Sequence, residues 1–401
     1  MATDAFGKLR VTEPFTTFNY YPTTLTENSN LDEDIWISGG NSQTYNSNNY
    51  INMPINTAST NYAIRQTKCP MVYQSGKSRL IYMTGVMMTS ILTSTTSYIG
   101  LFNVDTSTPP NITEGMYFKC DGTNLIFEEV TQSATNTVNQ SSWNIDTFDG
   151  TGPSGQTLTI TNASTNLLIV FDQEWLGVGR IRCGFNINGV TYYAHQFIHS
   201  GLAIQYTKTP RLRLSYYIKG TVANTMRQMC STNMSEGGYY TTGKINSIST
   251  TISGIILGTI GTRYILLALR INSTYPNGTI IPNKISMAYS AASNKMGYFE
   301  IQLHSTYGSI GSISGTLTYN NLTDSIAQYA IGNGTQTITS SGYTIQGGFV
   351  SSQSEQFIAN NENERMQIRM TATQYDTIYV VGTGNTTNDT MYGSLTFVEE
   401  I

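Results

Sequence analysis

The sequence is poor in charge. Only 11% of its 401 residues are Asp, Glu, Lys or Arg, against about 25% in an average soluble domain. The net charge of −4 provides no basic excess to neutralise a phosphate backbone, so we expect no nucleic acid partner. Apolar runs such as residues 264–269 are far shorter than the roughly 20 residues of a membrane-spanning helix. We therefore expect no membrane partner either.

Cysteine is also scarce, with four residues at positions 69, 120, 183 and 230. Their spacing excludes a CxxC zinc motif. The first ten residues include Asp4 and Lys8 and contain no apolar core of a signal peptide, so we expect synthesis in the cytoplasm. Reduced thiols, mostly in the core, follow from that expectation, although cysteines that meet in space can still pair.

Neutral hydrogen-bonding residues are abundant instead: 59 Thr, 38 Ser, 35 Asn and 27 Tyr. A hydrophobic fraction of 39% is enough for a sizeable core and argues against disorder. Apolar and polar residues alternate in segments 157–161, 211–215 and 393–398, which is typical of half-buried strands. Only two short segments, 224–230 and 324–329, are candidates for helices.

Turn signals separate these strands. Asn188-Gly189 stands between two apolar segments and predicts a two-residue β-hairpin. Many short strands with little helix favour antiparallel sandwiches over a parallel sheet. We predict an all-β protein with a short extended N-terminal arm (1–30) and two antiparallel β-sandwich, jelly-roll-like domains (31–240 and 241–401).

Two histidines, His195 and His199, are spaced so that a strand would place them on one face. Their Cα atoms would be about 13 Å apart, too far to share one ion without a bend. No third ligand is evident, and zinc needs three or four. We predict no metal site, and interpret the pair as polar residues of a sheet surface or a subunit contact.

Two carboxylates, Asp172 and Glu174, stand beside Trp175, an arrangement that a glycosidase could use. The neighbouring Arg180 and Arg182 offer ion-pair partners, so a structural salt bridge is the preferred interpretation.

The Asn-, Asp- and Gly-rich segment 144–152 does not have the spacing of an EF-hand and predicts an Asx-stabilised turn. No GxSxG, Walker-type or dinucleotide-binding motif occurs in the sequence. We therefore predict no enzyme and no cofactor.

Four stretches, read together, resemble one group of proteins. They are DAFGKLRVTEPF (4–15), QSGKS (74–78), FDQEWLGVGRIR with YAHQFIH (171–199) and CSTNMSEGG (230–238), and LRINSTYP (269–276) resembles the start of a second β-domain. The group is the virion structural proteins of tailed phages, especially marine ones, and of some large DNA viruses. The resemblance implies a particle component made in the host cytoplasm, with copies of itself and other virion proteins as partners.

Within that resemblance, the N-terminal stretch is similar to an arm that docks on a neighbouring subunit. Its apolar residues would enter a pocket and its two cations would face the rim. The predicted docking residues are Phe6, Lys8, Arg10 and Phe15.

Two further stretches are interpreted as scaffold. In segment 175–180 the glycines would allow a bulge inside a strand, while the tryptophan supplies a large buried anchor. The paired glycines of segment 235–238 would permit positive φ angles where the first domain meets the second. The residues concerned are Trp175, Gly177, Gly179, Arg180, Gly237 and Gly238.

Three functional hypotheses follow. The first is a non-enzymatic structural subunit of a virus particle, either a minor capsid or cap protein or a tail or fibre component, assembling as a closed oligomer with a trimer favoured. The second is a fibre module whose exposed aromatic rings bind a host surface glycan. The third is a glycan-cleaving enzyme, which requires Asp172 and Glu174 to lie about 5–9 Å apart in an open groove.

Overall fold

The computed structural model describes most of the chain. The described residues are 3, 7, 13–23, 33–38, 42–57, 61–68, 70–71, 73–238, 243–275, 278–291, 295–305, 310–351, 356–359 and 376–400. The chain divides into two compact units, residues 1–239 (unit 1) and 240–401 (unit 2). Among the described residues, no helix is long and apolar enough to cross a membrane.

Unit 1 is built from two antiparallel sheets. The strands are β1 (Pro14–Tyr20), β2 (Glu33–Ile37), β3 (Thr44–Asn46), β4 (Tyr50–Ile55), β5 (Asn61–Thr67), β6 (Arg79–Val86), β7 (Thr95–Val104), β8 (Ile112–Cys120), β9 (Leu125–Val130), β10 (Thr135–Asn139), β11 (Leu167–Gln173), β12 (Ile181–Ile187), β13 (Val190–Phe197), β14 (Leu214–Gly220) and β15 (Asn224–Glu236). The eight-stranded sheet has the order β13-β12-β11-β6-β15-β4-β3, with β1 also paired to β15. The seven-stranded sheet has the order β10-β9-β8-β7-β14-β5-β2. Two short 3-10 helices, Gln140–Ser142 and Ile160–Ser164, lie between strands.

The core of unit 1 lies between these sheets. Ile81 and Phe185 of the eight-stranded sheet belong to one buried cluster with Phe118 and Phe127 of the seven-stranded sheet. The ring centroids of Phe127 and Phe185 are 5.6 Å apart, so the inner faces interdigitate. Burying each such ring stabilises the fold by roughly 1.5–3 kcal/mol, and the alternation of buried residues along β6 follows from the two faces of a strand.

The hairpin predicted at Asn188-Gly189 is confirmed. Strand β12 ends at Ile187 and β13 begins at Val190, and these two residues are paired. Asn188 has a φ of 52° and Gly189 a φ of 83°. Two successive left-handed residues form the tight turn whose twist matches the strands, which is why Asn-Gly is favoured there.

Unit 2 also consists of antiparallel sheets. The strands are β16 (Lys244–Ser249), β17 (Ile255–Leu257), β18 (Arg263–Ile271), β19 (Thr279–Ser290), β20 (Met296–Ser305), β21 (Ser312–Ser314), β22 (Asn320–Asn321), β23 (Ala327–Ile331), β24 (Thr337–Ser340), β25 (Tyr343–Ser351), β26 (Gln356–Ala359), β27 (Asp376–Thr383) and β28 (Asp389–Glu400). One sheet has the order β16-β28-β19-β26, with β17 also paired to β28. The other has the order β21-β24-β18-β27-β20-β25, with β23 paired to β18 and β22 paired to β23.

The core of unit 2 joins its two sheets in the same way. Leu269 and Val380 of one sheet share a buried cluster with Met287 and Leu395 of the other. The predicted fold class, all-β with antiparallel sandwiches, is therefore confirmed.

Both helix candidates are wrong. Segment 224–230 belongs to β15, and segment 324–329 leads into β23. In β15 buried and less buried residues alternate and the backbone pairs with β4, β6 and β1, so sheet partners override the weak helical pattern. Conversely, segment 157–161, predicted as a strand, contains only an isolated bridge residue and then enters a 3-10 helix.

The prediction of a separate N-terminal arm over residues 1–30 is wrong for residues 14–20. These residues form β1, which pairs with β15 from Pro14 against Glu236 to Tyr20 against Ser231. Strand β4 pairs with β15 only over residues 224–228. On the same edge of β15, residues 231–236 therefore need other hydrogen-bond partners. Strand β1 supplies them within the same unit.

The thiols of the three described cysteines are free. Cys120 and Cys183 are buried and Cys230 is exposed, whereas Cys69 lies outside the described residues. Burial raises the pKa of the Cys120 thiol to about 11, which keeps it protonated and unreactive at neutral pH.

Candidate functional site

Segment 174–180 is a tight loop between β11 and β12, so the prediction of a bulge inside a strand is wrong. Leu176 and Gly177 have φ angles of 33° and 77°, which reverse the chain. The Gly179 N–H then donates to the carbonyl oxygen of Trp175 at 2.7 Å. A Cβ atom on Gly179 would lie 1.7 Å from the Glu174 carbonyl oxygen, so glycine is required for this close approach.

Trp175 belongs to this loop and is half-buried, whereas the sequence predicted a buried side chain. Its indole Nε1 donates to Thr207 Oγ1 at 2.8 Å, and its ring contacts Tyr73 edge-on with centroids 6.1 Å apart. Arg180 Nη1 donates to Gln196 Oε1 at 3.1 Å. These contacts fix the loop against neighbouring segments of unit 1.

Asp172 is fully buried and forms an ion pair with Arg182. Its carboxylate also accepts hydrogen bonds from Ser78 Oγ at 2.8 Å and from the Tyr193 hydroxyl at 3.0 Å. Glu174 is fully buried as well. A glycosidase pair must face an open groove, so this geometry overturns the hypothesis that these two carboxylates cleave glycans and confirms the structural ion pair.

The two histidines do not share a site. His195 Nδ1 accepts the N–H of Asn144 at 3.3 Å, and burial lowers the pKa of His195 to about 4. His199 lies beyond the end of β13 and contacts Glu129 through Nε2 at 2.8 Å. Both rings are buried, so their predicted position on a sheet surface is wrong. Over the described part of the chain, no group of three or more His, Cys, Asp or Glu residues is placed to hold a metal ion.

The turn predicted in segment 144–152 is confirmed at Asp146. Its carboxylate accepts the N–H of Phe148 at 2.8 Å and of Ser154 at 2.7 Å. Burial opposes ionisation, but hydrogen bonds from Ser154 and Phe148 outweigh it and lower the pKa of Asp146. This carboxylate therefore stabilises the turn.

Of the paired glycines, only Gly237 has a left-handed φ, at 73°. Its N–H donates to the Glu13 carbonyl oxygen at 3.3 Å, and Lys77 Nζ donates to the Gly238 carbonyl oxygen. A Cβ atom on Gly238 would meet nothing within 4 Å.

Among the predicted docking residues, Phe15 lies in β1 with 45% of its surface exposed. Phe6, Lys8 and Arg10 lie outside the described residues.

A cleft of about 420 Å³ in unit 2 combines an aromatic ring with polar side chains. One wall is the turn that follows β18, and the other is the segment between β22 and β23. The lining residues are Asn272, Tyr275, Asn321, Leu322, Asp324, Ser325 and Ile326. We call it the tyrosine cleft.

The first wall is formed by a local turn. Asn272 Oδ1 accepts the N–H of Thr274 at 3.0 Å, and the N–H of Tyr275 donates to the Asn272 carbonyl oxygen at 2.9 Å. This turn leaves 41% of the Tyr275 surface exposed at the cleft. The Asn272 N–H donates to the Ile326 carbonyl oxygen at 2.8 Å and so connects the two walls.

The second wall carries the amide and the carboxylate. Asn321 Oδ1 accepts hydrogen bonds from Asn272 Nδ2 at 3.2 Å and from Gln328 Nε2 at 2.9 Å. These bonds engage the oxygen of the Asn321 side chain and leave its NH2 group as a potential donor. Asp324 is exposed and has a φ of 53°, a conformation that Asp tolerates better than most residues. The cleft thus offers donors and acceptors beside an aromatic ring.

Sequence reasoning did not find this cleft. Asn272 and Tyr275 lie in the stretch 269–276, which resembles the start of a second β-domain. Asn321 is 49 residues from Asn272 in sequence, so no local pattern connects them. The available signal was the Asn followed three residues later by Tyr at the end of an apolar strand.

Comparisons with known proteins give only weak similarities. No family model and no curated protein matches the chain. The endo-1,3-beta-glucanase from Streptomyces sioyaensis is 8% identical with a TM-score of 0.39, over 55% of this chain and 96% of that chain. The CBM2 module of the evolved Dit of Lactobacillus casei BL23 phage J-1 is 9% identical with a TM-score of 0.36, over 57% of this chain and 99% of that chain.

A third solved structure matches over most of both chains. The binding domain of botulinum neurotoxin serotype D is 10% identical with a TM-score of 0.33, over 94% of this chain and 95% of that chain. At these scores the similarities carry no argument about a ligand or a reaction. The resemblance to virion structural proteins therefore stays a prediction.

Proposed function

We propose that this protein is a non-enzymatic structural component of a virus particle that binds glycans through the tyrosine cleft. The observation that carries the glycan-binding part is the grouping of exposed Tyr275 with the Asn321 amide and the Asp324 carboxylate. Sugars present an apolar C–H face and a ring of hydroxyl groups. An aromatic ring packs on the first, and side-chain amides and carboxylates bind the second.

The dimensions of the cleft support this proposal. Its volume of about 420 Å³ lies within the range of small-molecule sites, roughly 300–1,000 Å³. Hydrogen bonds from Asn272 to Asn321 and to Ile326 hold both walls before a ligand arrives. A preformed site loses less conformational entropy on binding.

The particle assignment rests on the sequence resemblance, and the position in the particle stays open between capsid and tail or fibre. Assembly into a closed oligomer, with a trimer favoured, stays a prediction, as do contacts with other virion proteins.

The test uses the full chain on a glycan array, followed by titration of the strongest binder. Y275A should weaken that binding by about tenfold or more, because ring stacking contributes on the order of 1 kcal/mol beyond buried area. Y275F should retain most of it, since the ring remains.

The matched control is F349A, which removes another exposed aromatic ring from unit 2, with 64% of its surface exposed. Phe349 does not line the tyrosine cleft, so this variant should bind as the wild type does. Silence of the wild type on the array, or equal losses in Y275A and F349A, would contradict the proposal.

A further inference from the structure

A second cleft, in unit 1, has a different chemical character. It encloses about 640 Å³ between the turn after β8, the segment after β10 and the segment around the Asp149–Thr157 bridge. Among the residues that the structure describes, its lining includes no Lys, Arg or His and one carboxylate, that of Asp149. The other polar groups that line it are hydroxyls and side-chain amides. We call it the hydroxyl cleft.

The walls of this cleft are fixed by their own hydrogen bonds. In the turn after β8, the Asp121 carboxylate accepts the N–H groups of Thr123 at 2.8 Å and Asn124 at 2.7 Å. Gln140 Nε2 donates to the carbonyl oxygens of Thr147 at 2.9 Å and Leu158 at 2.7 Å. The second and third walls are thereby joined, so the cleft exists without a ligand.

The lining is amphipathic. The apolar lining residues are Leu125, Leu158 and Ile160, of which Ile160 is only half-buried, whereas Asn139, Ser141 and Thr157 are exposed. Apolar side chains can contact the C–H groups of a sugar ring, and the amide and hydroxyls can exchange hydrogen bonds with its hydroxyl groups. The described lining residues include no cation that could pair with an anionic ligand.

Asp149 is the carboxylate of the cleft lining. Hydrogen bonds from the Thr151 hydroxyl at 2.7 Å and from the Thr151 N–H at 2.8 Å lower the pKa of this exposed carboxylate, so it is ionised at neutral pH. A uronic or sialic acid would bring a second negative charge to a wall that already carries one. Like charges disfavour the wrong ligand without reducing affinity for the right one.

We propose that the hydroxyl cleft is a second saccharide site, selective for uncharged oligosaccharides. The inference rests on the proposed glycan-binding function, but not on the tyrosine cleft.

The experiment uses ligand-observed NMR on full-length chains, with three neutral tetrasaccharides built from glucose, mannose or galactose and one oligogalacturonate tetrasaccharide. In the Y275A background, which weakens the tyrosine cleft, binding of at least one neutral tetrasaccharide should persist. Adding S141W should reduce it by about tenfold or more, because the indole fills the cleft. S142W is the matched control, since Ser142 is also exposed but does not line the cleft.

D149N tests the selectivity. It should leave affinity for the neutral tetrasaccharide nearly unchanged and raise affinity for the oligogalacturonate by about two- to fivefold, as expected for an exposed charge. The gain should shrink in high salt because exposed charges are screened. An unchanged oligogalacturonate affinity in D149N would overturn the selectivity.

The outcomes separate this inference from the proposed function. Loss of all binding in Y275A alone would overturn the second site and leave the tyrosine cleft supported. If S141W alone abolished all binding and Y275A bound as the wild type does, the hydroxyl cleft would be supported and the tyrosine cleft would be contradicted as the binding site. Equal losses in S141W and S142W, or no binding of any neutral tetrasaccharide, would overturn the inference.

Discussion

The buried ion pairs of unit 1 contrast with a buried carboxylate of unit 2 that neutral donors hold. Unit 1 buries ion pairs: Arg65 Nε lies 2.8 Å from Glu33, and Arg182 pairs with Asp172. In unit 2 buried Glu399 is held by neutral donors, with Asn246 Nδ2 at 2.8 Å. A buried ion pair contributes little net stability but is costly to break, because removal of one partner leaves an uncompensated buried charge.

The apolar interiors differ as well. Phe127 of unit 1 contacts the rings of Trp143 and Phe185, with centroids 4.9 and 5.6 Å away. The main cluster of unit 2 consists mostly of Ile, Leu and Met, with Phe299 and Phe397 among them. All three tryptophans of the sequence, at positions 36, 143 and 175, lie in unit 1. Tryptophan fluorescence therefore reports the unfolding of unit 1.

Breaking a buried pair in unit 1 should have the largest effect. R65M should lower the free energy of unfolding of unit 1 by about 3–5 kcal/mol, because it leaves the buried Glu33 without its cation. Urea titration followed by tryptophan fluorescence measures this loss. E33Q/R65M should recover a large part of it, since the uncompensated charge is gone.

The matched variant in unit 2 is R263M. Arg263 Nη1 lies 4.0 Å from Glu300, and 29% of the Arg263 side chain is exposed. We expect R263M to lower the free energy of unfolding of unit 2 by less than about 1 kcal/mol. Hydrogen exchange of unit 2 peptides measures this loss. Similar losses in R65M and R263M would abolish the distinction between the two units.

A smaller effect is expected from G179A in unit 1. The added methyl group would clash with the Glu174 carbonyl oxygen, and the Gly179 carbonyl oxygen contacts His199 Nδ1. Overpacking of this kind costs about 1–3 kcal/mol. G238A, where nothing lies within 4 Å of the added atom, should change stability by less than about 0.5 kcal/mol. Urea titration of both variants checks this, and an equal cost at both glycines would refute the steric argument.

The smallest effect is a change in the acid response of unit 2. Although burial opposes ionisation, hydrogen bonds from Thr386 and Tyr289 lower the pKa of Asp389 in the folded protein. The stabilisation is therefore present above the unfolded pKa of about 3.9 and is lost as the pH falls through the folded pKa. D389N should be less stable at pH 7 and should lose less stability on acidification.

Hydrogen exchange of unit 2 peptides between pH 7 and pH 3, corrected for the intrinsic rate, measures the slope of the free energy of unfolding against pH. T386V should shift it in the same direction by a smaller amount, because it removes only the hydroxyl donor. An acid slope in D389N as steep as in the wild type would exclude Asp389 as the source.

Local patterns predicted part of the fold well. The Asn188-Gly189 turn needs only its own two residues in left-handed conformations, and it forms as expected. The helix candidate at 224–230 failed because β15 has sheet partners on both sides, which no local pattern reveals. The N-terminal segment failed for the same reason, since β1 pairs with a strand more than 200 residues away.

For the sites, the sequence predicted which residue types would interact better than it predicted where the clefts would lie. The ion pair of Asp172 with a nearby arginine was expected because two arginines follow within ten residues. Neither cleft was expected. The walls of the hydroxyl cleft meet through Gln140, whose amide reaches carbonyl groups up to 18 residues away.

The sequence by itself determined that this chain forms antiparallel β-structure with charge-poor surfaces, because strand periodicity and Asx-Gly turns act over a few residues. The tertiary structure alone decided which polar residues meet. Tyr275 lines one cleft together with Asn321 and Asp324 because β18 and β23 pair. Such pairing depends on many non-local contacts, each of which must offset the entropy of closing a long loop.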